Sequence, residues 1–157
     1  MDIKIRKATI ADTDAVAKIT YFGWKPIYDG YKEAIGEEIY ETAFGGALEA
    51  KMEKMKEVVA EGRVYVAEAD GIICAFASYL IEGKVGSLKE NSVLPDYKGR
   101  GIAGMLHRTL LDLFRKNGCT VARVMTGLDD AHAPARRAYE KLGFSKHTSS
   151  VTYFMEI

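Results

Sequence analysis

Two strand-like segments joined by Asp70-Gly71 constrain the fold of this chain more than any other feature. The segments RVYVAEA, residues 63–69, and IICAFASYL, residues 72–80, carry the alternating or continuous apolar residues of strands with a buried face. Because an Asp-Gly pair favours the tight turns that join twisted strands, the two segments are expected to form an antiparallel hairpin. A third strand is predicted from about Lys84 to Leu94, where Pro95 stops it.

One strand pattern and two helix patterns precede this hairpin. The opening IKIRKAT alternates as a half-buried strand should, and a helix is predicted to follow it. Gly23, Pro26 and Asp29-Gly30 are expected to interrupt that helix, since glycine and proline break helical segments. A second helix is predicted over residues 37–60, where apolar residues form a stripe.

The residues after the third strand predict two more helices and two more strands. Apolar residues lie on one face of the segment 102–116, and Gly118 follows it as a helix C-terminus prefers. CTVARVMT then alternates as a strand, and Pro134 lies in the first turn of a helix that ends at Gly143. The tail HTSSVTYFMEI reads as a final strand. The order β, α, α, β, β, β, α, β, α, β predicts a mixed sheet with helices on it.

Composition limits the partners of such a fold. With 157 residues the chain is expected to form one domain, 1–157, which must supply both the cofactor and the substrate sites. Its 22 basic residues balance 22 acidic ones, which argues against nucleic acid as a partner because such binding needs a basic surface. No apolar run suits a membrane helix and the first residues lack the apolar core of a signal peptide, so we expect no membrane partner and a cytoplasmic location.

The spacing of cysteine and histidine predicts no metal site. Cys74 and Cys119 follow no metal or disulfide pattern and read as small buried residues. His107, His132 and His147 have no metal-ligand spacing. We therefore expect chemistry that uses no bound metal.

The segment KGRGIAG, residues 98–104, predicts a phosphate-binding turn. Glycines allow backbone N–H groups to crowd an anion, and a helix that starts there adds its positive end. GRGIAG also fits the dinucleotide fingerprint G-x-G-x-x-G, but a spacer, Pro95 to Lys98, separates it from the strand and no acidic residue ends the next strand. A dinucleotide is therefore the weaker alternative, and a P-loop fits less well because no Gly-Lys-Ser/Thr is present.

Two motifs, in order along the chain, point to a family. SVLPDYKGRGIAGML, residues 92–106, holds Lys98, Gly101 and Ala103 at the core positions of an acetyl-CoA motif, and ARRAYEKLGF, residues 135–144, matches a later helix and turn. Over nearly the whole chain the sequence resembles the GCN5-related N-acetyltransferase (GNAT) superfamily. The resemblance implies an α/β fold of the α+β type, with a mixed, mostly antiparallel central sheet flanked by about four helices. It also implies acetyl-CoA as the cosubstrate.

The resemblance further implies how the chain holds coenzyme A. Backbone N–H groups from Arg100 to Gly104 would bind the pyrophosphate, and the strand residues Val93 and Leu94 would pair with the pantetheine amides. Lys98 stands where the family commonly has Gln or Arg, which keeps a cation but loses the bidentate fork. The other expected coenzyme contacts are Gly99, Ile102, Arg136 and His132, which stands where the family often has Asn; as an alternative, His132 only caps its helix or lies exposed.

Tyr139 is the general acid that the resemblance implies. On helical spacing His132, Arg136 and Tyr139 share one face, so the phenol is expected to look along the coenzyme. The alternative is a core aromatic residue whose hydroxyl only forms a hydrogen bond.

Glu90 is the candidate base, because it is the only acidic residue on the third strand close to Pro95. The family commonly has a bulge in this strand, which would decide whether Glu90 or Asn91 faces the cleft. Glu90 is alternatively a solvated charge, and a water chain could replace it for an α-amine acceptor.

The first third of the chain is expected to bind the acceptor, with Trp24 or Tyr28 lining the cleft. Aromatic rings near acidic residues suit a cationic amine, although packing of the helices on the sheet explains the same rings. The expected activity is transfer of an acetyl group from acetyl-CoA to a primary amine of a small molecule or a peptide N-terminus. The alternative function is a non-catalytic acyl-CoA sensor or interaction module. Separately, the alternating tail VTYFMEI would allow strand pairing across a homodimer.

Overall fold

A computed structural model describes all residues from Met1 to Ile157. Its strands form one sheet in the order of the sequence: β1 (Ile3–Lys7), β2 (Val64–Ala69), β3 (Ile72–Glu82), β4 (Val85–Val93) and β5 (Val121–Val124). The first four strands are antiparallel neighbours, whereas β5 runs parallel to β4. The predicted hairpin at Asp70-Gly71 and the predicted mixed, mostly antiparallel sheet are confirmed.

Helices cover both faces of this sheet. They are α1 (Thr13–Ile35), α2 (Glu37–Phe44), α3 (Ala47–Ala60), α4 (Ile102–Lys116) and α5 (Ala133–Lys141). Apolar residues of α1 and α3 bury one face of the sheet, in a core that includes Val16, Met55 and Phe76. Leu106 and Leu110 of α4 and Tyr139 of α5 bury the other face. We call these the α1 face and the α4 face.

The helices before the hairpin differ from the prediction in their boundaries. α1 continues through Gly23, Pro26 and Asp29-Gly30 without interruption. Its packing on α3, and that of Tyr28 and Tyr31 against Phe44 of α2, outweighs the local propensities. Gly23 has a packing role, since a Cβ there would overlap the side chain of Ser92 on β4. The helix predicted over 37–60 is divided into α2 and α3 at Gly45-Gly46.

The prediction of a final strand in the C-terminal tail is wrong. Residues 144–157 form no helix or strand, and Val151, Tyr153 and Met155 are exposed. Phe154 instead packs against Phe44 of α2, with 5.9 Å between ring centroids. Alternation gives a segment the preference for a strand, but a strand also needs a sheet edge to pair with. None of the helices has the combination of length and apolarity needed to cross a membrane.

A bulge in β4 opens the sheet. Ala77 pairs with Asn91 and Tyr79 with Leu88, so Ser78 alone faces both Lys89 and Glu90. β5 pairs with β4 only as far as Leu88, where β5 ends at Val124. The rest of β4, residues 89–93, therefore has no strand on its outer side. The two parallel strands part at this point, and the candidate site lies around the opening.

Candidate active site

The turn between β4 and α4 forms a cradle of backbone amides. Gly99 and Gly101 have φ values of +76° and +75°, in the left-handed region that favours glycine. None of the amides from Gly99 to Gly104 donates to a protein atom. Six consecutive free N–H groups at the start of a 15-residue helix form a binding site for an anion.

A cavity of about 330 Å³ lies beside this cradle. Its lining includes three cations, Lys98, Arg108 and Lys141. Cationic side chains and free amides together suit a diphosphate, so the residues present fit coenzyme A. The remaining lining residues are Val93, Tyr97, Gly99, Gly101, Ile102, Ala103, Gly104, Ala138 and Leu142.

Arg108 and Lys141 were not predicted from the sequence. Arg108 lies one helical turn after Gly104, a spacing that could have indicated it. Lys141 reaches the cavity only because α5 packs beside α4, and no local pattern signals this. The guanidinium of Arg100 lies outside the lining, over the Tyr97 ring at 5.7 Å.

The backbone of β4 offers Val93, and not Leu94, to a ligand strand. The Leu94 N–H donates to the Cys74 carbonyl at 2.8 Å, and the Leu94 carbonyl accepts from Tyr97 N–H at 2.9 Å. The expected pairing through Leu94 therefore does not fit. Because successive residues of a strand direct their backbone groups to opposite edges, those of Val93 point to the edge that β5 leaves open.

Tyr139 lies at the opening between β4 and β5, on the α4 face. Its hydroxyl accepts a hydrogen bond from Asn91 Nδ2 at 2.9 Å, and the residue is only 6% exposed. Burial raises the pKa of the Tyr139 phenol, and the Asn91 bond opposes this in part. Since Asn91 is the donor, the phenolic hydrogen remains free to be donated to another acceptor.

His107 of α4 lies against Tyr139, a contact that the sequence reasoning did not foresee. The two ring centroids are 5.3 Å apart, with 41° between the planes. The imidazole is buried and neither ring nitrogen has a hydrogen-bond partner. Burial, together with the charge of Arg108, lowers the pKa of His107 to about 4. A histidine among the apolar residues of α4 was the available signal.

Glu90 projects to the opposite face from Asn91. Its carboxylate accepts from Ser78 Oγ at 3.0 Å and from Lys51 Nζ at 3.3 Å, and Lys51 lies 5.5 Å from the centroid of the Trp24 ring. Burial raises the pKa of Glu90. A hydrogen bond from its own backbone, the charge of Lys51 and the Ser78 hydroxyl lower it by more than burial raises it, so the pKa of Glu90 lies below its usual value. The structure thus brings Trp24 and Glu90 together on the α1 face.

Tyr28 belongs to an aromatic cluster on α1 and α2. Its ring centroid lies 6.0 Å from that of Tyr31 and 6.4 Å from that of Phe44. Burial, and to a lesser extent the charge of Asp129, raises the pKa of Tyr31. The helix α1, which carries Tyr28 and Tyr31, contacts the loop between β5 and α5 at residues 130–132.

His132 and Arg136 hold the loop between β5 and α5. His132 Nδ1 lies 2.7 Å from the Asp129 carboxylate, and it forms no capping bond to α5. Arg136 donates to the carbonyl oxygens of Gly127 and Asp129 at 2.7 and 2.8 Å. Neither residue lines the cavity at the cradle, and their contacts with the coenzyme remain predictions.

The family follows from a comparison with known proteins. Residues 26–144 match the model of the acetyltransferase (GNAT) family. The chain belongs to this family. The resemblance predicted from the two motifs is thereby confirmed.

Known GNAT proteins resemble the chain in sequence and in fold. Streptothricin acetyltransferase of Streptomyces lavendulae is 32% identical over 89 residues, which are 55% of this chain and 46% of that protein. The chain thus spans about half the length of the curated relative that it matches.

Two solved structures have the same fold. PaiA N-acetyltransferase from Thermoplasma acidophilum, solved in complex with coenzyme A, has a TM-score of 0.77 and 22% identity, over 96% of this chain and 94% of that one. Glucosamine-6-phosphate N-acetyltransferase from Arabidopsis thaliana has a TM-score of 0.64 and 18% identity, over 99% of this chain and 100% of that one.

Proposed function

We propose that this protein transfers an acetyl group from acetyl-CoA directly to a primary amine of a small molecule or of a peptide N-terminus. The observation that carries the proposal is the hydrogen bond from Asn91 to Tyr139. It leaves a phenolic hydrogen free at the opening of the sheet, beside a cradle of free amides. Membership in the GNAT family and the coenzyme A complex of the PaiA relative support the choice of cosubstrate.

The α4 face supplies the coenzyme site in this proposal. The amides from Gly99 to Gly104 would bind the diphosphate, with charge neutralisation by Lys98, Arg108 and Lys141. The Val93 backbone would pair with the pantetheine arm as an added strand does. When bound, acetyl-CoA supplies the activated acetyl group as a thioester.

Tyr139 would act as the general acid for the leaving sulfur. A phenol of pKa near 10 that protonates a thiolate of pKa near 8.5 works uphill by about 2 kcal/mol. Burial raises the Tyr139 pKa and so adds to this cost. Donors that stabilise the phenolate must offset it, and Asn91 Nδ2 at 2.9 Å is one.

Glu90 is the carboxylate available to take the proton of the amine, directly or through water. Its lowered pKa makes it a weak base. Deprotonation at pH 7 costs an α-amine of pKa near 7.8 only about 1 kcal/mol, against about 4.6 kcal/mol for a lysine-like amine. A weak base therefore favours an α-amine acceptor. Asn91 is not basic and already donates to Tyr139, so it does not take this role.

The α1 face would admit the acceptor, because the coenzyme cradle lies at the start of α4 and helices α4 and α5 cover the other face. Trp24 and the carboxylate of Glu90 lie together there, on either side of Lys51, and Tyr28 lies one helical turn after Trp24 on α1. An aromatic face and a carboxylate both attract an ammonium ion. We therefore expect a cationic amine as acceptor.

Calorimetry with acetyl-CoA, coenzyme A and NADH tests the cosubstrate. We expect binding of both coenzyme A forms and none of NADH, and a protein that fails to bind coenzyme A contradicts the proposal. A panel of α-amines and alkylamines, assayed by release of free thiol, tests the activity.

In the same assay Tyr139→Phe should lower kcat about 100-fold and leave coenzyme affinity unchanged. Tyr65→Phe, which removes a hydroxyl from β2, is the matched control and should have no effect.

The second candidate function is an acyl-CoA sensor without catalysis. The ion pair between Glu90 and Lys51 favours it, since a carboxylate held by a lysine is a poor base. Two results together would support the sensor. The protein would bind the coenzyme, but no amine would release thiol faster than the reaction without amine, and Tyr139→Phe would release thiol at the wild-type rate.

A further inference from the structure

His107 is an exception among the buried residues of α4. The others are Ile102, Leu106, Leu110 and Phe114, all apolar. The imidazole is 1% exposed, and neither Nδ1 nor Nε2 has a protein partner. A buried polar group without a partner destabilises the folded state, and leucine would suit this helix face better. The fold alone therefore gives no reason for an imidazole here.

The surroundings of His107 suggest a role. Its ring contacts the ring of Tyr139, with 5.3 Å between centroids. With a pKa of about 4, the imidazole is neutral at neutral pH, so one ring nitrogen donates a hydrogen bond and the other accepts one. The polar groups beside the phenol are Asn91 from β4 and His107 from α4. The positive charge of Arg108 helps to lower the pKa of the imidazole.

Loss of the proton from Tyr139 would create a buried negative charge. Burial disfavours this charge, as the raised pKa of the phenol indicates. Asn91 supplies one donor to the oxygen at 2.9 Å. A phenolate oxygen accepts more than one hydrogen bond, and the unpaired imidazole is the other neutral donor in contact with this side chain.

We propose that His107 is a positioning residue for the general acid, whose imidazole N–H stabilises the phenolate of Tyr139 through one buried water. This inference rests on the proposed function. In the transfer step the amine nitrogen bonds to the acetyl carbon and the carbon–sulfur bond breaks. The sulfur takes the Tyr139 proton, the amine proton goes to Glu90 or solvent, and Tyr139 is protonated again from solvent.

His107→Leu separates this role from a structural one, because stability and rate change in opposite directions. The variant should melt about 4 °C higher, since an unpaired buried polar group is gone. Its kcat should fall roughly tenfold, while KM for both substrates stays unchanged. Leu110→Met, a core substitution on the same helix face, is the matched control and should leave kcat unchanged.

The titration of Tyr139 gives a readout that needs no turnover. The difference in phenolate absorbance between the wild type and Tyr139→Phe reports the pKa of this phenol. In the His107→Leu background, the same difference should show a higher pKa, because a donor to the phenolate is lost. His107→Gln, whose amide can donate, should keep more of the wild-type kcat and pKa than the leucine variant, and it serves if that variant folds poorly.

Two results overturn the inference. One is a His107→Leu protein with wild-type kcat, and the other is an unchanged phenol pKa in that protein. A fully active Tyr139→Phe variant instead contradicts the acid in the proposed function, whereas the phenol titration still tests the contact between His107 and Tyr139. The two failures are therefore distinguishable.

Discussion

Lys51 of α3 holds its ammonium 3.3 Å from the carboxylate of Glu90 on β4. The same ammonium lies 5.5 Å from the centroid of the Trp24 ring. A carboxylate and an indole face are the groups that bind an alkylammonium ion. A lysine of the protein thus occupies the position that suits a cationic acceptor.

Lys51→Met should lower KM for a cationic amine about two- to fivefold, because the internal competitor is removed. The pKa of Glu90 should rise, since the lysine charge no longer lowers it, and the acid limb of kcat/KM should move to higher pH. Initial rates across a pH series measure both effects. Lys54→Met, on the exposed side of α3, is the control, and a higher KM in Lys51→Met would mean that Lys51 binds the acceptor.

Gly101→Ala should weaken coenzyme binding and destabilise the protein by about 1 kcal/mol, because alanine is strained in the left-handed region. Gly118→Ala at the other end of α4 is matched, since Gly118 has a φ of +76° and no atom near its Cβ position either. Both variants should lose similar stability in urea unfolding. Only Gly101→Ala should lose coenzyme affinity in calorimetry, and equal affinities would contradict the cradle.

Arg108→Gln should raise the Kd for coenzyme A roughly tenfold, because a cation that lines the proposed diphosphate site is lost. The salt dependence of binding should also become shallower. Calorimetry at several salt concentrations measures both changes. Arg115→Gln, on the exposed face of the same helix, removes the same single positive charge and should bind coenzyme A with wild-type affinity.

Asp12→Asn should destabilise the protein by about 2 kcal/mol at pH 7. The bidentate bond from Arg6, at 2.7 and 2.9 Å, lowers the pKa of Asp12 from 3.8 to about 2, and the Thr9 N–H at 2.8 Å adds to this against the effect of burial. A lowered carboxylate pKa stabilises the fold above the unfolded value of 3.8, and this stability is lost as the pH falls toward 2.

Unfolding curves from pH 7 to pH 2 should therefore converge for the wild type and Asp12→Asn. Asp29→Asn removes an exposed carboxylate that pairs with Lys25, and it should leave stability close to that of the wild type because solvent screens an exposed pair. Curves that remain parallel down to pH 2 would contradict the role of Arg6.

Local signals gave the parts of the fold and site that could be predicted. Asp70 and Gly71 both have positive φ, so their turn is specified by two adjacent residues. The cradle is likewise specified by Gly99 and Gly101. Tyr139 was found through a motif, which carries information from other sequences about where a helix packs.

Tertiary packing decided the remainder. Arg108 and Lys141 meet at one cavity because two helices lie side by side, and the contact of His107 with Tyr139 has the same origin. The tail alternates as a strand does, yet Phe154 finds an aromatic surface on α2 instead of a sheet edge. These contacts join residues that are far apart in the sequence, so no short segment of the sequence predicts them.

At the opening between β4 and β5, the side chain of Asn91 is directed to one face of the sheet and that of Glu90 to the other. The helices that contact the coenzyme cradle are consequently not those that carry Trp24 and Lys51. Under the proposed function, different helices would therefore bind the acceptor and the coenzyme. A substitution in α1 to α3 would then alter the choice of amine without touching the loop from Gly99 to Gly104.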